Sequence, residues 1–250
     1  MHQIPAPLNH LKFHGRDQIS VGFLLLPSFP MACLSSVQEP LRAANEVSGQ
    51  EMFSWTLYSE DGTPVASSAC LTFEADGALS NVGELELLFV LSEPDGTFLY
   101  PRATTGKLRH LYRHGTTLCA VSGGIFPLAR SGILAGQTCS VHRLYRTAFE
   151  AMFPHVEITD DVISINHRCC TASRAASAFD LARHIINTAL GDATMAEVAC
   201  CFQHPAIRSP NIRQKTPTFS SDETADHLPQ KCLSGDCTLL RESRFPTDDS

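Results

Sequence analysis

The run TLCAVSGGIFPLARSGILAG, residues 117 to 136, sets an apolar strand against a serine, two glycines and a helix-like stretch. A strand-turn-helix of this kind forces its middle residue into a strained, exposed conformation, with glycines beside it so that the flanking backbone clears its neighbours. Ser122 holds that position. A serine hydroxyl is a poor nucleophile until a base takes its proton, and His142, at the end of the short extended TCSVH, is the candidate base. Asp180, in AFDLARH, is the candidate acid to orient it, and the backbone around Gly123 is the candidate oxyanion site. Acyl transfer, as in a serine hydrolase or amidase, is the chemistry such a set performs. The pattern departs from GxSxG at its first position, where Ala120 stands. Each residue also has a plain structural use: a half-buried loop hydrogen bond for His142, and a local helix ion pair for Asp180.

Composition narrows the remaining classes. A chain of 250 residues, 43% hydrophobic and 18% charged, is long enough to bury one substantial core. Its formal charge of −7 argues against a general nucleic-acid surface, which needs clustered Lys and Arg to displace counterions. The ten cysteines are sparse for a disulfide scaffold, several sit in apolar runs, and they read as reduced core thiols. Cys169-Cys170 and Cys200-Cys201 are adjacent pairs rather than CxxC pairs, so no metal site is expected, and no cofactor. The first residues lack the order of a secretory signal, and no apolar run reaches the ~20 residues that cross a bilayer. A cytoplasmic location without membrane partners is expected.

The elements that must position Ser122 alternate along the chain. ISVGFLLLP (19 to 27) is apolar on both faces, the mark of a central parallel strand, and SSVQEPLRAANEVSG (35 to 49) is an amphipathic helix ending at a glycine. MFSWTLYSEDGTPV and SACLTFEADGAL give shorter extended pieces, and LELLFVL (85 to 91) and TTLCAVS are further buried strands separated by the helical TTGKLRHLYRHG. After the elbow come RLYRTAFEAMFP as a helix, two short strands around the DD of VEITDDVISINHRCCTAS, and AASAFDLARHIINTALG as a long helix closed by Gly191. ATMAEVACCFQH reads as one more helix. This order predicts an α/β three-layer sandwich with a mostly parallel sheet. From residue 204 the pattern stops: residues 204 to 219 carry +3, residues 220 to 250 carry −4, and neither has a helical or strand period.

Taken in order, VGFLLLPSF, SSVQEPLRAAN, WTLYSEDGTPVASSACL, LCAVSGGIFPLARSGILAG, TCSVH and ITDDVISINHRCCTASRAASAFDLARHII resemble the N-terminal half of GlxA-like transcriptional regulators of the AraC family. That half is a ThiJ/PfpI-type domain related to class I glutamine amidotransferases, which implies a flavodoxin-like sandwich. In enzymes and redox sensors of that superfamily the elbow residue is usually a cysteine, supported by a carboxylate from the first helix and a Gly-Gly pair after the third core strand. Here those places read Ser122, Ser36 and Ser92-Glu93, and a later Gly-Gly reads Arg174-Ala175. A thiol can be ionised near neutral pH and a serine hydroxyl cannot, so the resemblance implies a pocket without a reaction.

The resemblance further implies a sensor of a small metabolite, with amines or amino acids such as carnitine, betaine or arginine as the class. Ser36, Glu39, Glu93, Ser122, Gly123 and His142 are the candidate ligand residues, with Phe29 and Phe126 available to flank a cation through π contacts, although Glu39 reads more simply as a first-turn helix acid and both rings as core residues. The expected organisation is a flexible leader over residues 1 to 18, the sensor domain over residues 19 to 204, and a linker with an acidic tail over residues 205 to 250. The family continues past this point into helix-turn-helix units, which cannot be drawn in the acidic tail. The expected protein is therefore a noncatalytic sensing and dimerising domain, as a homodimer or paired with a full-length relative, without direct DNA binding. The alternatives are a serine hydrolase using Ser122 and His142, and a DNA-binding regulator using Arg208 to Lys215.

Overall fold

A computed structural model describes residues 11, 13, 17–94, 96, 98–166, 168–203, 213 and 214. The first strand, β1 (Ile19–Leu25), is buried along nearly its whole length, as a strand apolar on both faces must be. It leads into α1 (Met31–Ser48), which stops where Gly49 turns left-handed at φ 66°. β2 (Phe53–Ser59) returns parallel to β1. Then come a small hairpin of β3 (Val65–Ala66) and β4 (Thr72–Phe73), and the edge strand β5 (Gly77–Ala78). β6 (Leu87–Ser92), α2 (Pro101–Arg113), β7 (Thr117–Ser122) and α3 (Ile125–Arg130) complete the central alternation. The chain continues through β8 (Thr138–Ser140), α4 (Arg146–Met152), β9 (Glu157–Thr159), β10 (Ile163–Asn166), β11 (Cys169–Ala172) and α5 (Ala175–Cys201).

Seven strands form one sheet in the order β10-β11-β7-β6-β1-β2-β5, parallel except for the β10–β11 pair. From β1 the chain first moves to β2 on one side and then to β6 on the other, so the topological switch lies between β1 and β6. Strand alternation divides the core. Val21, Phe23, Leu25, Phe89 and Leu91 face the layer of α1 and α5, with the Phe23 and Phe89 rings stacked at 5.3 Å. Leu24, Leu88 and Val90 face the layer containing α2, α3 and α4. This is the flavodoxin-like sandwich that the alternation predicts.

Four details differ from the sequence reading. The segment around DD yields three strands, and β8 pairs with β9 in a separate two-stranded sheet rather than joining the main one. Leu11 and Phe13, inside the expected flexible leader, are buried in the α1/α5 core because an apolar side chain within reach of that face gains by leaving water. Cys33, Cys119, Cys139, Cys169 and Cys170 are buried free thiols, whereas the exposed Cys70 is disulfide-bonded. α5 runs through the expected stop at Gly191, whose φ of 85° and ψ of 173° break the helix into two arms. The second arm is the extra helix read from ATMAEVACCFQH, and Met195 within it reaches back to Arg183.

Candidate functional site

The elbow is a close-packed turn. Ser122 ends β7 in register with Ser92 at the end of β6, and it has a φ of 54°. A left-handed serine is strained by about 1–2 kcal/mol, and the surroundings explain why it stays so. A Cβ on Gly123 would sit 2.4 Å from the Ser92 carbonyl oxygen, and one on Gly124 would sit 1.9 Å from that of Val90. Both glycines are therefore required by contact with the β6 backbone, and together they wedge Ser122 into its turn. The Ser92-Glu93 pair packs directly against this wedge: Ser92 is fully buried and its hydroxyl donates to the Glu93 carbonyl at 2.8 Å.

His142 follows β8 and is only 7% exposed. Its Nδ1 accepts the Leu144 amide hydrogen at 3.1 Å, and its ring lies beside Tyr145. An imidazole nitrogen that accepts a hydrogen bond carries no proton, so the neutral ring holds its proton on Nε2. Burial, then the charges of Arg174 and Arg143, pull the ring down to about 4. Arg174 enters through topology: β11 pairs with β7 at Ala172 and Val121, so the residues after each strand emerge on the same edge.

Among the described residues no hydrogen bond joins Ser122 to His142, so the expected nucleophile-base pair is not made. Nor does Asp180 orient the ring. It lies buried in α5, 3.7 Å from Arg183, while the nitrogen an orienting acid would hold is taken by Leu144. In this arrangement the imidazole offers a hydrogen toward Nε2, where a general base would have to accept one.

The other candidates are scattered. Ser36 is half-buried on α1, as is Glu93 after β6, and Gly123 is buried in the elbow. Glu39 is exposed on α1 and ion-paired to Arg42 at 2.9 Å, a helix-surface contact that uses its charge. Phe29 is fully buried against the edge of Phe73, and Phe126 packs against Phe149 and Phe153. Both rings are thus core residues and Glu39 is paired on the helix surface, though within α1 rather than in its first turn.

Sequence reasoning missed Glu60. This buried carboxylate at the end of β2 accepts the Leu99 amide at 2.7 Å, the Tyr100 amide at 3.3 Å and the Thr104 hydroxyl, fixing the start of α2. It also lines a cavity of about 100 Å³ with Leu25, Leu26, Ser59, Val65 and Leu99. Metabolite pockets are typically at least about 300 Å³, so this one is too small to hold such a ligand as it stands. In the sequence Glu60 reads only as part of the turn YSEDGTP; its position immediately after a strand was the available signal.

Searched against family models, the sequence matches none. It is 32% identical over 203 residues to the HTH-type transcriptional regulator GbdR of Pseudomonas aeruginosa, covering 81% of this chain and 55% of that protein. The crystal structure of an AraC family transcriptional regulator from Pseudomonas putida superposes with a TM-score of 0.67 at 26% identity, covering 74% of this chain and 99% of that one. Its homologues are AraC-family transcriptional regulators. A ThiJ/PfpI family protein from Pseudomonas syringae shares the fold, with a TM-score of 0.64 at 15% identity over 97% of this chain and 93% of that one. The chain spans about half the length of the curated regulators it matches. No helix among the described residues is long and apolar enough to cross a membrane.

Proposed function

We propose that this chain is a noncatalytic, small-metabolite-sensing and dimerising domain of a GlxA-like AraC-family regulator, with the sensor unit over residues 19 to 204. The ligand site is read as Ser122, Gly123 and His142, with Glu93 just after β6 and Ser36 on α1 as further candidates. The observation that carries this reading is the acceptor role of His142 Nδ1 toward Leu144. It leaves Nε2–H as a donor beside a serine that has no base, a pair fitted to hold a ligand and not to activate a nucleophile. The homology to regulators supports it as well. The dimer, with itself or with a full-length relative, rests on the resemblance alone.

The test is a thermal-shift panel of betaine, carnitine, arginine and related amines on the purified chain. A ligand at a hundred times its Kd stabilises the native state by about 2.7 kcal/mol, and the shift is expected to shrink in Ser122→Ala. Fluorophosphonate labelling of the folded protein is expected to be absent; labelling that disappears in Ser122→Ala sinks the noncatalytic reading. Light scattering on the eluted chain reads the homodimer directly, and a purely monomeric species removes it; failure to co-purify with a full-length relative removes the mixed pair.

A further inference from the structure

The segment Arg213–Gln214 lies against the loop that carries His142, more than 70 residues away in sequence. The Gln214 side chain donates from Nε2 to the Val141 carbonyl at 2.7 Å and accepts at Oε1 from the Arg143 amide at 3.0 Å. It thus brackets His142 from both sides along the backbone. The Gln214 amide donates to the Asp160 carbonyl at 3.0 Å, and Arg213 forms an antiparallel bridge with Asp161. Asp160 is itself held from the other side, its carboxylate pairing with Arg146 of α4. Two stretches of the folded body, Val141–Arg143 and Asp160–Asp161, therefore form one docking edge.

A glutamine suits this place because its amide carries one acceptor and a donor pair, the same complement that a neighbouring strand presents to an extended backbone. Glutamate has no donor for the Val141 carbonyl, and alanine has neither group. The interaction reads backbone, so it is sensitive to the shape of the His142 loop rather than to its side chains. The same loop is set by the ring itself: Leu144 donates to Nδ1, and the Tyr145 amide donates to the His142 carbonyl at 2.8 Å. Any change that moves the imidazole moves the two groups that Gln214 holds.

From this we infer that Val141–Arg143 with Asp160–Asp161 is an intramolecular docking site for Arg213–Gln214, and that Gln214 couples the His142 corner to the chain that follows it. The inference rests on the ligand-site reading only in naming what moves the corner. Docking and the state of His142 are then linked reciprocally: whatever favours one arrangement of the loop favours or opposes docking by the same factor.

The test uses amide hydrogen exchange on the full chain without any ligand, so it stands apart from the metabolite panel. In Gln214→Ala the Leu144 amide is expected to exchange about thirtyfold faster, the loss of roughly two ordinary hydrogen bonds, and in Gln214→Glu about fivefold faster, the loss of the one to Val141. In His142→Ala the Gln214 amide is expected to exchange faster as well, with His142→Gln partly restoring it because the new side chain still offers an acceptor to Leu144. The Phe23 amide in β1 is the control and is expected to stay unchanged, which separates local release from loss of fold. If Leu144 exchanges at the wild-type rate in both Gln214 variants, or Gln214 does so in His142→Ala, the coupling is overturned. A negative metabolite panel beside positive exchange results would remove the sensing reading and leave the docking site standing.

Discussion

Glu60 and Ser122 stand at the carboxyl ends of β2 and β7 in the same sheet, yet the Glu60 cluster and the proposed site of Ser122 and His142 are built on opposite terms. The Glu60 carboxylate is met by three donors from the start of α2, which commit most of its acceptor capacity to the fold. At the proposed site, a left-handed serine and an imidazole with a hydrogen on Nε2 are not bonded to each other. A satisfied buried carboxylate is structure, and its removal leaves orphaned donors. Strain held in place by neighbouring backbone, with donors left over, is the pattern on which the proposed binding site rests. Burial alone does not tell the two apart; the accounting of partners does.

The contrast can be broken at either end. The largest effect is expected from Gly124→Ala, whose Cβ meets the Val90 carbonyl oxygen at 1.9 Å. A loss of about 4 kcal/mol or failure to fold, read by urea denaturation, is expected because rigid backbone stands on the other side. Unaltered stability would mean that the elbow is not wedged. Glu60→Ala should lose about 3 kcal/mol by orphaning its donors, while leaving any ligand-induced shift in Tm intact; a lost shift would place Glu60 in the site.

The pH dependence separates them further. His142 is held near 4 against an ordinary 6.5, by burial first and then by Arg174 and Arg143. Between those values the unfolded chain binds a proton and the folded chain does not, so this contribution is complete above pH 6.5 and is lost as pH falls toward 4. It amounts to about 2 kcal/mol after allowance for solvent screening. His142→Gln should flatten that part of the slope in stability-versus-pH curves, leaving the smaller share of His184, which burial also lowers. Equal slopes in the two proteins would remove His142 from the account. The smallest effect is expected at the elbow itself. Ser122→Gly should raise stability by roughly 0.5 kcal/mol, since relief of the left-handed strain outweighs the added freedom of the unfolded chain. A fall in Tm would show that the serine is held by contacts and not by strain.

Much of this architecture was legible because periodicity carries it. The two-sided apolar run around Phe23 announced a central strand, and the apolar run stopping at Ser122 before two glycines announced the elbow. The pairing of β8 was not legible, since three extended residues contain no information about which neighbour they join. Phe29 and Phe126 read first as core residues, and they are, although an aromatic beside a motif looks the same in sequence whether it faces a cavity or the core. Glu39 and Glu60 show the limit most clearly. One lies within α1 and the other just past β2, yet one is spent on a surface arginine and the other on backbone amides and a hydroxyl, and only three-dimensional neighbours decide which. Arg213–Gln214 lay in a stretch with no period at all, where docking depends on one side-chain amide rather than on a pattern.

The packing of α5 on α1 sets an order of events during synthesis. The apolar face of α1 includes Val37 and Leu41, and its cover includes Leu181, Ile185 and Met195 from α5. That cover leaves the ribosome more than a hundred residues after the surface it hides. Until then the nascent chain carries an open greasy flank, and holdase chaperones have a defined target there.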